Sequence, residues 1–590
     1  MKRSSVLKAG VLIASVPIVL GLPGCGADDS TASQPSPAQS VPSNPTKPAL
    51  VLDTVYPKVG CSSLAAEVIP STIFQIASGA ATITSATLVA PSTGAMTGVG
   101  TSAIWQPAKP EFCKVIGTIA PVDPTAPLIN FQINLPTAWN QRAAQLGGSG
   151  LNGSIPPALN TDRNAPESQP VDVGGPLSKG YITLGSDGGH QGFGSDWLLN
   201  QEAVTNYAYG EMKKTHDVAV ELANQYFGQK PKLFYWFGSS QGGRQALMMA
   251  QNFPEDYDGI IAQVPAINLL SLSLVGTVRA QMQTTADTWI PPTKQTLIEN
   301  EVLRQCDALD GIADGVISDY EGCNMRFINP SATAAPWAKI RCATGTDEGT
   351  TCLSDAQIGT LNAMHSDIHY GYDLAYGAPG YAAYGVGPSG QTWLGEYTMP
   401  TATYSGGIFP QFWKALITGT LTFAQMTWDP ANWKNQFVTA STNVDALNPD
   451  LSRFLAHGGK LILKANSGDQ TANYRETIRY YNRVVGVMGQ EKVDSFLRFF
   501  VAPGLTHSMW DNTVQKGAYG DAIPSQVDMV DYLDKWAVSN QVPPDSIMLA
   551  QKDPTPPFAT ISSKPMCQYP LWPRFEGSDP TKGTSWNCTK

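Results

Sequence analysis

A strand-like segment, a sharp turn carrying a serine and a helix-like segment follow one another within residues 233–252, and no other feature limits the fold of this chain as strongly. The stretch WFGSSQGGRQ (236–245) contains Gly238-Ser239-Ser240-Gln241-Gly242, which fits the pattern G-x-S-x-G. When such a turn joins a buried strand to a helix, the serine stands exposed at the edge of a parallel sheet. The pattern therefore predicts an α/β fold in which Ser240 is a nucleophile.

Strand-like and helix-like segments alternate over two stretches of the chain, 50–265 and 451–590. Such alternation is typical of βαβ units and a parallel sheet. Residues 266–450 lack it and instead contain aromatic-rich loops such as YGYDLAYGAPGYAAYGVG. We therefore predict one α/β domain, formed by 50–265 and 451–590, that is interrupted by a large inserted lid domain at 266–450.

A nucleophilic serine needs a histidine that takes its proton and a carboxylate that orients this histidine. The α/β-hydrolase arrangement places the three in the chain order serine, acid, histidine. Of the six histidines, only His507 follows a late strand-like segment in a glycine-containing loop, APGLTHS. Asp469 follows another such segment, KLILKANSGD. We therefore predict a catalytic triad of Ser240, Asp469 and His507; a chance glycine-serine loop is the alternative.

Ester hydrolysis through a serine also needs backbone donors for the oxyanion. One donor is expected from Gln241, the residue after the nucleophile. The second is expected from the glycine-rich stretch QLGGSGLNGS, where the amides of Gly148, Ser149 and Gly150 are candidates. The sequence does not choose among these three amides, and a plain flexible turn would fit the same residues.

The stretch CDALDGIADGVI (306–317) concentrates carboxylates in a loop with two glycines. The carboxylates of Asp307, Asp310 and Asp314, with the backbone carbonyls of Ile312 and Val316, suit a hard cation such as Ca²⁺. The spacing is not that of an EF-hand. A solvated Asp/Gly turn is the alternative interpretation of this stretch.

The first 24 residues have the pattern of an export signal, with a basic start, a short apolar run and the sequence LPGC. This pattern predicts a lipoprotein signal peptide, with Cys25 as the lipid-anchored residue; ordinary secretory cleavage beside an incidental cysteine is the alternative. Residues 25–49 are rich in serine and proline, which predicts a flexible tether. We expect an exported protein, anchored by lipid in the bacterial cell envelope.

Eight cysteines remain after Cys25, an even number that is typical of disulfides in an oxidising compartment. Sequence alone does not fix their connectivity, but pairing of neighbours is the simplest arrangement. These pairs are Cys61–Cys113, Cys306–Cys323, Cys342–Cys352 and Cys567–Cys588.

The net charge of −10 makes nucleic acid an unfavourable partner. We expect a monomer with a small-molecule substrate, no organic cofactor, and contact with a membrane only through the lipid anchor.

Four stretches together resemble the tannase and feruloyl esterase family, which also includes the hydrolase of mono(2-hydroxyethyl) terephthalate. They are GYITLGSDGGHQG, the long segment from KKTHDVAV to GIIAQVPA that contains the elbow, CDALDGIADGVISD, and FFVAPGLTHS. The resemblance covers about residues 55–590 and implies an α/β-hydrolase core, a lid with structural calcium, and hydrolysis of aromatic carboxylic esters. Matched position by position, it implies the same triad, calcium ligands, oxyanion loop and cysteine pairs.

The chain departs from the family at two positions, where relatives carry a cysteine beside the catalytic serine and another beside the histidine. This chain has Ser239 and Ser508 instead. The customary disulfide between the two catalytic loops is therefore absent. We expect an intact triad whose two loops are coupled more loosely.

We expect hydrolysis of galloyl- or feruloyl-type esters, with substrate contacts in the lid. The lid aromatics Trp393, Tyr397, Phe409, Phe412, Trp413 and Trp428 include candidates for these contacts, although most are expected in the lid core. Hydrolysis of aliphatic hydroxyalkanoate oligomers or of terephthalate monoesters is an alternative, as is a non-catalytic surface binding protein. No arginine stands out for binding a terephthalate carboxylate.

Overall fold

The structure is a computed structural model that describes residues 50–98, 104–159, 169–330, 335–387, 398–401, 409–507 and 514–590. These residues belong to one compact unit. The predicted signal peptide and tether, with Cys25, lie outside the described residues, as do Trp393, Tyr397 and Ser508. Within the described ranges, no helix is both long and apolar enough to cross a membrane.

The described strands form one large sheet and two small ribbons. The strands are β1 (Val68–Ile69), β2 (Ala81–Val89), β3 (Ala95–Thr97), β4 (Ile104–Gln106), β5 (Phe112–Ile119), β6 (Ile129–Pro136), β7 (Arg142–Leu146), β8 (Ile182–Ser186), β9 (Leu233–Ser239), β10 (Gly259–Gln263), β11 (Lys460–Asn466), β12 (Leu497–Ala502), β13 (Ser546–Lys552), β14 (Thr560–Gln568), β15 (Trp572–Phe575) and β16 (Trp586–Thr589). The large sheet has 12 strands in the order β1-β2-β5-β6-β8-β7-β9-β10-β11-β12-β14-β13. The strands β3 and β4 pair with each other, as do β15 and β16.

Helices cover the sheet and build the segment between β10 and β11. They are α1 (Gln201–Thr205), α2 (Glu211–Phe227), α3 (Gln241–Asn252), α4 (Leu269–Met282), α5 (Gln295–Cys306), α6 (Tyr320–Phe327), α7 (Asp355–Met364), α8 (Phe409–Trp413), α9 (Lys434–Val444), α10 (Ser452–His457), α11 (Tyr474–Met488), α12 (Gln490–Phe496) and α13 (Met529–Ser539). Helix α2 ends at Gly228, whose φ of 73° is a left-handed conformation that glycine adopts without a steric penalty.

The six strands from β8 to β12 in the sheet order run parallel to one another. The strands β9, β10 and β11 are buried along almost their whole length, as expected for strands covered by helices on both faces. Parallel strands bring their carboxyl ends to one edge of the sheet. This edge carries Ser240, Asp469 and His507, and the predicted α/β-hydrolase core is confirmed.

The prediction of alternating strands and helices from residue 50 onward is wrong for the first part of that range. Strands β1, β2, β5 and β6 pair antiparallel, and among the described residues between 68 and 146 no α-helix separates the strands. The physical reason is one-sided burial, since alternate residues of β5 are fully buried while those between are partly exposed. An antiparallel sheet tolerates one wet face, so no crossover helix is needed there.

The described residues between β10 and β11 form seven helices, α4 to α10, and add no strand to the large sheet. Part of it has a separate apolar cluster around Ile298, Phe327 and Trp337. Another part, including Phe412 and Phe437, joins the cluster that covers the sheet. The boundaries 266–450 of the inserted domain stay a prediction.

All four predicted disulfides are confirmed. The bonded pairs are Cys61–Cys113, Cys306–Cys323, Cys342–Cys352 and Cys567–Cys588. Two of them lie within the segment between β10 and β11, and the first joins residues preceding β1 to β5. Such a set of bridges is typical of an exported protein.

Candidate active site

Ser240 lies on the sharp turn between β9 and α3. Its backbone has φ 58° and ψ −118°, an unusual conformation for a residue with a side chain. Three backbone hydrogen bonds hold this conformation. The N–H of Ser240 donates to the Gln263 carbonyl at 3.0 Å, and the Ser240 carbonyl accepts from Arg244 at 3.0 Å and from Ala266 at 3.1 Å. The turn therefore has the geometry of a nucleophile elbow.

The glycines on either side of Ser240 make this turn possible. A Cβ added to Gly238 would lie 2.3 Å from the Gly242 carbonyl oxygen, which is a clash. A Cβ added to Gly242 would lie 3.0 Å from the Cα of Gly147, in the glycine-rich loop that follows β7. Glycine at 238 and 242 thus lets strand, helix and loop approach each other closely.

The three residues of the predicted triad form one chain of hydrogen bonds. The Nε2 atom of His507 lies 2.9 Å from Ser240 Oγ, and its Nδ1 atom lies 2.7 Å from Asp469 Oδ2. Neutral histidine can accept from a hydroxyl at one nitrogen while donating to a carboxylate from the other. The geometry therefore suits proton transfer from Ser240 to His507, with Asp469 fixing the tautomer.

Asp469 is buried beneath the histidine, with 1% of its surface exposed. Its Oδ1 atom accepts from the backbone N–H groups of Thr471 at 2.7 Å and Ala472 at 2.8 Å. One carboxylate oxygen is thus anchored to the turn before α11, and the other is left for His507. This arrangement fixes the orientation of the carboxylate, so that its Oδ2 atom faces His507.

The structure reduces the number of backbone amides that could bind the oxyanion. Gln241 is the first residue of α3, so its N–H has no carbonyl one turn earlier to bond. The N–H of Gly148 donates to the side-chain Oε1 of Gln245 at 2.9 Å and is not free for a substrate oxygen. Gly148 is therefore withdrawn as a candidate donor. Ser149 and Gly150 remain, in a turn closed by the N–H of Asn152 donating to the Ser149 carbonyl at 2.9 Å.

Ser239, the residue that replaces the family's cysteine, is buried, with 1% of its surface exposed. Its hydroxyl has no hydrogen-bond partner among the described residues. Because Ser508 lies outside the described residues, the looser coupling of the two catalytic loops stays a prediction.

The aspartates predicted to bind calcium lie together in the loop after α5. Each accepts a backbone hydrogen bond within that loop: Asp307 from Gly315 at 2.9 Å, Asp310 from Ser318 at 2.9 Å, and Asp314 from Val316 at 3.0 Å. No three acidic, histidine or cysteine side chains in the described ranges are grouped as ligands of one metal ion. The calcium site therefore stays a prediction.

Lys564, which sequence reasoning missed, reaches this loop from β14. Its Nζ lies 3.4 Å from Asp314 Oδ2 and 3.7 Å from the centre of the Trp586 ring. Burial lowers the pKa of Lys564, and burial raises the pKa of Asp310 to about 6. One ammonium faces three carboxylates here, so the donor chemistry of the loop fits an additional cation.

The described lid aromatics are mostly core residues. Phe412, Trp413 and Trp428 are buried, with Trp413 and Trp428 packed edge to face at 4.8 Å between ring centres. The ring of Phe412 packs against that of Tyr207, with 5.7 Å between the ring centres. Phe409 is the exposed member, at 39% of its surface.

Comparisons with known proteins converge on one group. A family model described as tannase and feruloyl esterase matches residues 113–589. An uncharacterized esterase of Agrobacterium fabrum is 33% identical over 555 residues, which are 90% of this chain and 92% of the relative. A probable feruloyl esterase B-1 of Aspergillus oryzae is 28% identical over 475 residues, 77% of this chain and 80% of the relative. The crystal structure of feruloyl esterase B from Aspergillus oryzae superposes with a TM-score of 0.68 at 23% identity, covering 86% of this chain and 97% of that one.

Proposed function

Because the chain belongs to the tannase and feruloyl esterase family and is an ester hydrolase, we propose that it cleaves carboxylic esters of aromatic acids through Ser240. The chain of hydrogen bonds from Ser240 through His507 to Asp469 is the observation that carries this proposal. The aromatic preference is supported by the name of the Aspergillus oryzae relative, a probable feruloyl esterase.

In the acylation step, Ser240 Oγ attacks the ester carbonyl carbon while its proton passes to His507 Nε2. Asp469 accepts a hydrogen bond from His507 Nδ1 and stabilises the imidazolium that forms. The carbonyl oxygen becomes an oxyanion, for which the Gln241 N–H and an amide of Ser149 or Gly150 are the donors. The tetrahedral intermediate then expels the alcohol, which takes the proton from His507.

Deacylation repeats these steps with water as the nucleophile. His507 takes a proton from the water as it attacks the acyl-enzyme carbonyl, and the same amides hold the second oxyanion. Collapse of this intermediate returns the proton to Ser240 Oγ and releases the aromatic acid. The cycle consumes one water molecule and needs no redox partner.

A panel of esters tests the substrate class. We expect hydrolysis of methyl gallate or methyl ferulate with a higher kcat/KM than that of a hydroxybutyrate dimer. Faster hydrolysis of the aliphatic dimer would replace the proposal by the alternative of hydroxyalkanoate oligomers. A non-catalytic surface protein is no longer an alternative, because relatives over most of the chain are esterases.

We also propose that the loop 307–316 binds Ca²⁺ through the carboxylates of Asp307, Asp310 and Asp314 and the carbonyls of Ile312 and Val316. The excess of carboxylates over the single ammonium of Lys564 supports this proposal. The ion would neutralise buried charge and fix the loop, with no step of ester cleavage passing through it.

Finally, we propose export with a lipid anchor at Cys25. The four disulfides and the LPGC pattern support this proposal. Metabolic labelling with a radioactive fatty acid tests it, with label expected on the wild type and lost in Cys25→Ala.

A further inference from the structure

The glycine loop that follows β7 is tied to the interior by one buried side chain of α3. Gln245 accepts from the Gly148 N–H at 2.9 Å through Oε1 and donates through Nε2 to Glu211 Oε1 at 2.9 Å. The other oxygen of Glu211 is hydrogen-bonded to Ser186 Oγ, at the end of β8. Gln245 and Glu211 are each 1% exposed, and Ser186 is 5% exposed. The contacts thus join the loop to α3, α2 and β8.

Backbone contacts show how little room this loop has. A Cβ added to Gly147 would lie 2.4 Å from the Cα of Gly242 and 3.0 Å from Gln245 Oε1. The Gly147 N–H donates to the Phe237 carbonyl at 2.9 Å, so the loop begins fixed against β9. Gly148 is the next fixed point, and the candidate donors Ser149 and Gly150 follow it directly.

We propose that Gln245, oriented by Glu211, is a positioning residue that holds the 147–150 loop so that the amide of Ser149 or Gly150 points at the oxyanion. This inference rests on the proposed esterase chemistry at Ser240. Gln245 touches no substrate; it acts through the Gly148 peptide. Without its oxygen, the Gly148 N–H would be buried and unpaired, and the loop would turn to recover a hydrogen bond.

The surroundings of Glu211 support a neutral carboxylic acid in this role. The pKa of Glu211 is raised to about 8, with burial as the largest cause; the nearby Asp187 also raises it, while the Ser186 hydrogen bond and the Arg244 guanidinium lower it. The hydroxyls of Tyr207 and Tyr257 are the other titratable groups close to it. The Ser186 hydroxyl donates to Glu211 Oε2 and Gln245 Nε2 donates to Glu211 Oε1, so both carboxyl oxygens of Glu211 are held.

The first test replaces Gln245 by methionine, which has a similar length and no hydrogen-bonding amide. We expect kcat for methyl ferulate to fall about 10- to 100-fold, because small displacements of an oxyanion donor are costly, while KM changes little. The matched control is Gln251→Met on the same helix, since the Gln251 amide donates to the Ala446 carbonyl and to Tyr480, both at 2.9 Å. We expect the control to keep the wild-type kcat.

Phenylboronic acid supplies a second readout that a purely structural role would not move. Ser240 Oγ forms a bond to its boron and passes its proton to His507, which leaves a negatively charged tetrahedral adduct resembling the intermediate. We expect its inhibition constant to rise in Gln245→Met by about the same factor as kcat falls. An unchanged inhibition constant would overturn the inference.

The reciprocal pair Gln245→Glu with Glu211→Gln provides rescue. Gln245→Glu alone places two acids together, whereas the double variant again offers an acceptor to Gly148 and an amide to the new carboxyl group. We expect kcat to recover in the double variant relative to Gln245→Glu. No recovery, or equal kcat for the Met variants at 245 and 251, would contradict the inference. If Ser240→Ala kept activity, the proposed function itself would fail instead.

Discussion

The Nε2 atom of His507 lies 2.9 Å from Ser240 Oγ, although 267 residues separate the two in sequence. Ser240 follows β9 and His507 follows β12, and these strands belong to one parallel set with β10 and β11 between them. The chain leaves the sheet after β10 and returns to it at β11, so the two residues meet at the same sheet edge. This contact makes Ser240 a base-assisted nucleophile.

Asp469→Asn removes the negative charge that orients and stabilises His507. The asparagine amide would favour the wrong histidine tautomer, so we expect kcat to fall by about 10⁴-fold with little change in KM. Steady-state kinetics on p-nitrophenyl acetate measures this loss. Asp367→Asn is the control, because Asp367 pairs with Arg479 outside the triad at 2.9 Å. Equal activity of the two variants would argue against the role of Asp469.

Gly238→Ala introduces a methyl group where the Gly242 carbonyl oxygen stands 2.3 Å away. We expect a loss of stability of about 1–3 kcal/mol from overpacking, with a displaced elbow and reduced kcat. Chemical denaturation and kinetics measure both effects. The control is Gly276→Ala in α4, where a Cβ meets no atom within 4 Å and where alanine is expected to stabilise the helix by about 1 kcal/mol. Equal stability of the two variants would contradict the close approach at the elbow.

Removal of calcium with EGTA is expected to lower the Tm of the protein, and added Ca²⁺ is expected to restore it. Occupancy at about 100 times Kd stabilises a folded protein by about 2.7 kcal/mol. In Asp310→Asn, the response of Tm to EGTA should shrink, because one ligand has lost its charge. A wild-type Tm that is the same with EGTA and with Ca²⁺ would rule out a stabilising ion in this loop.

The pH dependence of stability should carry a signature of Glu211. Burial raises its pKa from 4.5 to about 8, so the folded protein binds more protons than the unfolded chain between these values. Its contribution to the free energy of unfolding therefore falls as pH rises from about 4.5 through 8. Glu211→Gln should remove this dependence, so that the free energy of unfolding of the variant rises relative to that of the wild type as pH increases. Glu221→Gln, at a half-buried position of α2, is the control. Parallel pH curves for wild type and Glu211→Gln would contradict the argument.

The residues of the triad could be predicted because each belongs to a local pattern. An apolar strand precedes Ser240, Asp469 and His507 in turn, and their chain order matches the arrangement that a parallel sheet imposes. The cysteine pairs could be predicted for a similar reason, because each joins neighbours along the chain. The resemblance to a family then identified the same positions independently.

Contacts between distant segments left no such local pattern. Gln245 and Glu211 are 34 residues apart and meet only because α2 and α3 pack together. Lys564 lies 250 residues from Asp314 and reaches it through the pairing of β14 with the sheet. The sequence wrongly predicted alternating strands and helices before residue 146. The strands there form an antiparallel sheet that is buried on one face, and such a sheet needs no helix between its strands. Such features depend on tertiary packing, which composition and spacing do not encode directly.

The central claim is that Ser240 forms an acyl-enzyme with an aromatic ester. In the most direct test, the protein is mixed with a slowly hydrolysed feruloyl ester and the reaction is stopped with acid. The mass of the intact protein is then measured by mass spectrometry. We predict a mass increase equal to one feruloyl group on wild type, located on the peptide that contains Ser240 and absent from Ser240→Ala, which also fails to hydrolyse the ester. Undiminished hydrolysis by Ser240→Ala, or acylation at another residue, would contradict the account.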